Sequence, residues 1–230
     1  MGPSILHKGH LHLEYHSTQA SWIIWKILKA RQYLENTLIT RAEFLSQQNY
    51  SIKNMYNRLR GTYTKIQWKK LICNNQGSPK WLFILYLALQ RKLYTKDRLI
   101  KLGRNYSPTC PLCEGADENI RHIFFLCPIS ALIWQKILHW QGISKPVPGW
   151  LEEQNWAKSN AAGNNSKAEI YRMPLAGCVY YLWQERNQRL FQNKKRTKDT
   201  MLGQIIQDIH YRGTPTSQLA KQFERLNFYP

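Results

Sequence analysis

The sequence predicts a mainly α protein, in which a small helical module built on three cysteines and one histidine sits within a helical array. Three observations carry that expectation. Apolar residues recur at i, i+3, i+4 and i+7 along most of the chain, and caps and glycine stops bracket the periodic runs. No long alternating run asks for a sheet, beyond a short hairpin near residues 38–50.

Ser21 to Leu34 aligns Trp22, Trp25 and Leu28 with Ile24 and Ile27 beside them, which predicts a helix with a broad apolar face. Ser51 to Arg60 spaces Ile52, Met55, Tyr56 and Leu59 helically and is stopped by Gly61 at the C′ position. Ser78-Pro79 reads as an N-cap with proline at N1. It opens Lys80 to Leu93, whose first half is apolar all round and is therefore expected at the centre of the core. Thr95 caps a helix to Leu102, closed by Gly103. A short helix over Asn119 to Leu126 must break before Cys127, because Pro128 pushes the residue ahead of it out of the α region. Pro128 to Trp140 carries Ile129, Leu132, Ile133 and Ile137 at helical spacing and ends at Gly142. Turn-rich stretches at 145–149 and 160–166 flank a short helix, Trp150 to Lys158, and the second stretch is the expected boundary. Helices over Pro174 to Phe191 and Thr197 to His210 complete the array. In domain terms this gives an N-terminal segment (1–50), the cysteine-bearing module (51–142), a linker (143–166) and a basic helical region (167–230).

Composition narrows the function. The 230 residues are 43% hydrophobic, enough for a core, and 33 Lys+Arg against 14 Asp+Glu leave a net charge of +19. Such an excess calls for a polyanionic partner, nucleic acid before membrane. The charge is uneven: residues 71–104 and 171–230 each carry +6, while 105–127, which hold three of the five cysteines, carry −2. The longest apolar stretch, Trp81 to Leu89, is nine residues, against about 20 for a membrane span. The first residues, around His7, His10, His12 and His16, lack the apolar run of a secretory signal. No membrane association and a nuclear or cytoplasmic location are therefore expected, and an odd cysteine count argues against a disulfide framework.

The chemistry concentrates in Cys110-Pro111-Leu112-Cys113, His122 and Cys127, a C-x2-C-x8-H-x4-C pattern. Three thiolates and an imidazole are the donor set a tetrahedral Zn2+ takes, and four protein ligands leave no open position, so the expected metal is structural. A redox pair formed by Cys110 and Cys113 is the rival reading, and it leaves His122 and Cys127 without a role. The N-terminal histidines read as a solvated tail.

From about Trp68 to Gly142 the sequence resembles the zinc-binding domain found C-terminal to the reverse transcriptase of plant LINE-type (non-LTR) retroelements. The resemblance rests on Pro79-Lys80-Trp81-Leu82-Phe83, on Leu93-Tyr94-Thr95-Lys96-Asp97-Arg98-Leu99, and on a core of Cys110, Leu112, Cys113, Glu118, His122, Phe124, Phe125, Cys127, Ile133 and Trp134. More weakly, residues 21–28 resemble the linker after the polymerase thumb, and Trp183-Gln184-Glu185-Arg186-Asn187 with Phe191 resembles the helix after the zinc domain. The resemblance implies a module that helps grip RNA template or target DNA.

The residues that allow such a grip are Lys80, Arg91, Lys92, Lys96, Arg98, Lys101 and Arg104, with Tyr94 and Tyr106 interleaved as stacking platforms. Asp97 and Arg98 also suit helix capping and a local ion pair. The later run Lys194, Lys195, Arg196 and Lys198 suits phosphate contact, nuclear import or a solvated helix entry. The aspartates Asp97, Asp117, Asp199 and Asp208 include no adjacent pair for two-metal chemistry, so the expected function is non-catalytic binding of single-stranded RNA or DNA. A protein-interaction adaptor, or a remnant without a molecular function, is the alternative.

Overall fold

The computed structural model describes residues 26, 29, 51–62, 64, 66–213 and 226. The chain divides into two compact units, residues 1–65 and 66–230. In the first, α1 (Ile52–Arg60) begins where the Ser51 hydroxyl accepts a bond from the Asn54 N–H. The helix expected over 21–34 lies outside the described residues except at Lys26 and Lys29, which are helical, and the hairpin near 38–50 and the N-terminal histidines lie outside them altogether.

The second unit runs α2 (Lys69–Cys73), α3 (Pro79–Leu89), α4 (Lys96–Lys101), a wide turn (His122–Leu126), α5 (Pro128–Trp140), α6 (Trp150–Asn160), α7 (Ser166–Gln192) and α8 (Lys198–Gly213). No strand occurs among the described residues, and the fold is mainly α as expected. α7 is the spine, packed on α3, α5, α8 and the wide turn. At Gly177 the α7 backbone comes so near Trp81 of α3 that a Cβ would stand 3.3 Å from the indole, and the buried Trp81 fills the space the missing side chain leaves. Around the wide turn the core is aromatic. Phe125 stacks on Trp134 (centroids 5.4 Å apart, planes at 18°), Phe124 leans on Trp150 at 5.2 Å, and Trp134 meets the edge of Tyr171. The buried Glu153 within this core receives Lys145 and the Tyr171 hydroxyl, so its charge is compensated.

Three boundaries differ from the sequence expectation. α3 ends at Leu89 rather than Leu93, because Arg91 turns left-handed (φ 54°). The Lys92 N–H then reaches the Leu87 carbonyl (2.8 Å) and the Arg91 N–H the Ala88 carbonyl (3.0 Å), a Schellman closure. Glycine usually announces that closure, and arginine does not. α7 begins eight residues before Pro174, capped by Asn165, whose side chain accepts the Ala168 N–H at 2.9 Å. Pro174 lies inside it, where its ring nitrogen cannot make the helical hydrogen bond. The turn-rich stretch 160–166, expected as a boundary, is interior to the second unit. Ala161 is buried, and its carbonyl and that of Gly163 accept the buried Arg172 guanidinium at 2.9 and 2.6 Å.

Candidate metal centre

The C-x2-C turn is closed by its own backbone. Glu114 N–H donates to the Cys110 carbonyl (2.9 Å), Cys110 N–H to Ala116 (2.7 Å) and Glu118 N–H to Pro108 (2.8 Å), and an antiparallel bridge joins Thr109 to Asp117. Asn119 then accepts the His122 N–H at 2.9 Å and sets the imidazole's position.

The helix expected from Asn119 to Leu126 is replaced by the wide turn. Phe124 (φ −102°, ψ 93°) and Phe125 (φ 78°) leave helical geometry, and the Cys127 N–H closes onto the His122 carbonyl at 2.7 Å. An unbroken helix would point residues five apart in divergent directions, and this turn brings His122 and Cys127 to one point. A positive φ is unfavourable for phenylalanine. Here it is held by the stack on Trp134 and by the Phe125 N–H bond to Ser130 Oγ (3.0 Å), while that hydroxyl donates to the Cys127 carbonyl.

The donor atoms of Cys110, Cys113, His122 and Cys127 all lie within 4.8 Å of one another, and Cys113 Sγ stands 3.3 Å from His122 Nε2. Around one ion with metal–sulfur bonds of about 2.3 Å and metal–nitrogen bonds of about 2.0 Å, tetrahedral donors are roughly 3.5–3.8 Å apart. The four fit that shell with small side-chain adjustments. Cys110 and Cys127 are fully buried, and His122 is 9% exposed. A hydrogen bond from Cys110 holds the Cys127 thiol below its usual range against the opposing effect of burial, while the same bond and burial push Cys110 up. Burial lowers the His122 imidazole, which favours the neutral form a metal needs. The donor set is therefore poised to hold a metal through soft ligands, and all four positions of a tetrahedral shell are supplied by protein.

Residues 50–134 match the family model described as zinc-binding in reverse transcriptase. That segment contains the four donors. No curated protein and no solved structure matches the chain.

The segment that carries the four donors is clamped by α7, beyond the matched residues. Arg189 Nη1 donates to the Pro111 and Leu112 carbonyls inside the C-x2-C turn at 3.2 and 2.9 Å. Arg186 grips both carboxylate oxygens of Glu118, one of three acidic residues between Cys113 and His122, and Glu118 Oε1 also accepts the Lys96 N–H at the start of α4 (2.8 Å). Glu185 receives Arg189 Nε at 2.8 Å and Arg196 Nε at 2.7 Å. Burial pushes the Glu185 carboxyl up, but the two guanidinium groups prevail and hold it below its usual value. Of these contacts only Glu185–Arg189, an i,i+4 pair, has a local sequence signal.

The basic residues expected at a nucleic-acid surface separate into two groups. Lys80, Arg91, Lys92, Lys101, Arg104, Lys194 and Lys195 are exposed, with Lys80 Nζ 5.2 Å above the Tyr180 ring and Lys195 3.3 Å from Glu114. Lys96, Arg98 and Arg196 have structural employment instead. Lys96 is 7% exposed and its ammonium donates to the Thr109 carbonyl at 2.6 Å. Arg98 donates to the Arg91 and Leu93 carbonyls rather than pairing with Asp97, which receives the Thr95 hydroxyl. Arg196 belongs to Glu185. In these three, part of the donor set is already bonded within the protein, whereas the seven exposed cations stand open to solvent.

Proposed function

We propose that this chain is a zinc-stabilised, non-catalytic nucleic-acid-binding fragment of a LINE-type retroelement reverse transcriptase, acting in the nucleus or cytoplasm. The observation that carries the reading is the convergence of three cysteines and a histidine inside the segment that matches the reverse-transcriptase zinc-binding family. Cys110, Cys113, His122 and Cys127 would hold Zn2+, whose contribution is to fix the knuckle and the wide turn against α7. A non-catalytic role is supported by the aspartates Asp97, Asp117, Asp199 and Asp208, which include no adjacent pair for two-metal chemistry. Nucleic-acid binding is supported by the net charge of +19 and by the exposed Arg91, Lys92, Lys101 and Arg104 in and around α4. No helix among the described residues is long and apolar enough to cross a membrane.

The test is fluorescence anisotropy with a short single-stranded RNA across a salt series, comparing zinc-loaded protein with Cys113→Ala. With about six phosphate contacts, log affinity should fall with log salt at a slope near −4. Binding should weaken in the variant. Salt-independent affinity, or none at low salt, overturns the reading in favour of an adaptor or a remnant.

A further inference from the structure

Two adjoining depressions, of about 530 and 360 Å³, lie on either side of the Trp183–Asn187–Phe191 strip of α7. The larger is walled by Tyr94, Tyr106 and Arg104 from the chain around α4, and the smaller by Tyr180 and a row of amides, Gln184, Gln188 and Gln192. Tyr94 is 59% and Phe191 62% exposed, an unusual cost for two rings that share one groove. Among the described residues no acidic side chain lines either depression.

Two of the rings are held by neighbouring guanidinium groups. The Arg98 guanidinium lies 5.4 Å from the Tyr94 ring centre while its hydrogen bonds tie it to the Arg91 and Leu93 carbonyls. The Arg186 guanidinium lies 4.8 Å from the Trp183 ring centre while Glu118 fixes it in the interior. Each ring thus has a hydrogen-bonded cation against it, which restrains the ring and reduces the entropy cost of ordering it on binding. The Gln184 amide oxygen is buried without a hydrogen-bond partner among the described residues, so the amide row has capacity to spare.

From this we infer that the groove takes unpaired bases of a single-stranded nucleic acid, stacked on Tyr94, Trp183 and Phe191 and met at their edges by the α7 amides, with the backbone tracking Arg104, Lys101 and Lys92. The inference rests on the nucleic-acid reading above and deepens it. Charge complementarity selects this occupant. Arg104 lines the groove on the α4 side, the exposed Lys101 and Lys92 lie close to its wall residues Leu102 and Tyr94 in the chain, and neutral amides with aromatic faces are the equipment that accommodates bases of any sequence. A duplex keeps its base faces stacked inside and cannot use such platforms.

The experiment compares binding of zinc-loaded wild type, Tyr94→Ala/Phe191→Ala and Tyr94→Phe/Phe191→Tyr to a 12-nucleotide single strand, to an abasic strand with the same number of phosphates, and to a duplex. The alanine pair should weaken single-strand binding about 10- to 100-fold with the salt slope unchanged, and the aromatic exchange should restore it. Affinity of the alanine pair for the abasic strand should match wild type, which also shows that the variant is folded. Equal affinity of wild type and the alanine pair for the base-bearing strand overturns the groove while nucleic-acid binding stands. Failure of wild type to bind any strand at low salt overturns both. Loss of a stoichiometric protein partner in the alanine pair, with RNA binding intact, assigns the groove to a protein instead.

Discussion

Arg186 reaches from α7 to Glu118, between the second and third metal-site residues, in an ion pair of 2.7 Å whose side chains are at most 1% exposed. All three of the carboxylate's bonds to Arg186 and its bond to the Lys96 N–H lie in the interior, so the pair joins the segment carrying the four donors, α4 and the spine helix at a single residue. A buried pair of this kind is weak evidence of net stabilisation, but removing one partner leaves the other charge stranded.

Arg186→Met should therefore destabilise the zinc-loaded protein by about 3–5 kcal/mol, read from urea denaturation. The double variant Arg186→Met/Glu118→Gln should recover a substantial part, because the amide oxygen can still accept the Lys96 N–H. A double variant as unstable as the sum of the singles would show that the two residues do not act as a pair.

Metal removal should be visible in tryptophan fluorescence. Trp134 stacks on Phe125 and Trp150 packs on both phenylalanines of the wide turn, so losing the tie between His122 and Cys127 loosens their surroundings. One zinc per chain by native mass spectrometry, and a spectral shift on chelation that zinc reverses, are the expected outcomes. Cys127→Ser should bind zinc far more weakly and show the shifted spectrum without chelator.

Arg91→Gly should raise stability and lower RNA affinity together. Arg91 holds a φ of 54° that costs an L residue about 1–2 kcal/mol, partly offset by the greater entropy glycine loses on folding. A net gain of about 0.5–1 kcal/mol in chemical denaturation is expected, with RNA binding reduced at low salt through the loss of one exposed cation. Unchanged or lower stability would mean the arginine side chain is worth more to the fold than its backbone angle costs.

Stability should fall below about pH 6.5 through His210. Burial lowers its folded-state pKa, and its ring stands edge-on to Trp140 at 5.4 Å. The unfolded chain therefore takes the proton more readily, so the fold keeps its full stability above the ordinary histidine value and loses it as the pH drops toward the lowered one. His210→Phe should flatten that part of the zinc-loaded protein's pH profile, and an identical slope in the variant would remove His210 as its source.

Much of the centre was legible in the sequence because it is local. Cys110, Cys113, His122 and Cys127 lie within 18 positions, their residue types dictate the chemistry, and Pro128 announces that the chain must leave the helix near Cys127. The helices over 128–140 and 198–213 were close to readable for the same reason: periodicity and caps act over a few residues. What the sequence did not disclose depends on pairs far apart in the chain. Nothing near Arg189 marks it as the clamp on the Pro111 and Leu112 carbonyls, and nothing near Lys96 marks its side chain as buried against the Thr109 carbonyl. The sequence by itself determined the helical class, the four donors and the positive charge, all of which follow from residue type and short spacing. The tertiary structure alone decided which cations remain available, where the helices stop at non-glycine left-handed turns, and that α7 braces both the centre and the aromatic groove, because burial and long-range hydrogen bonding are properties of the packed chain.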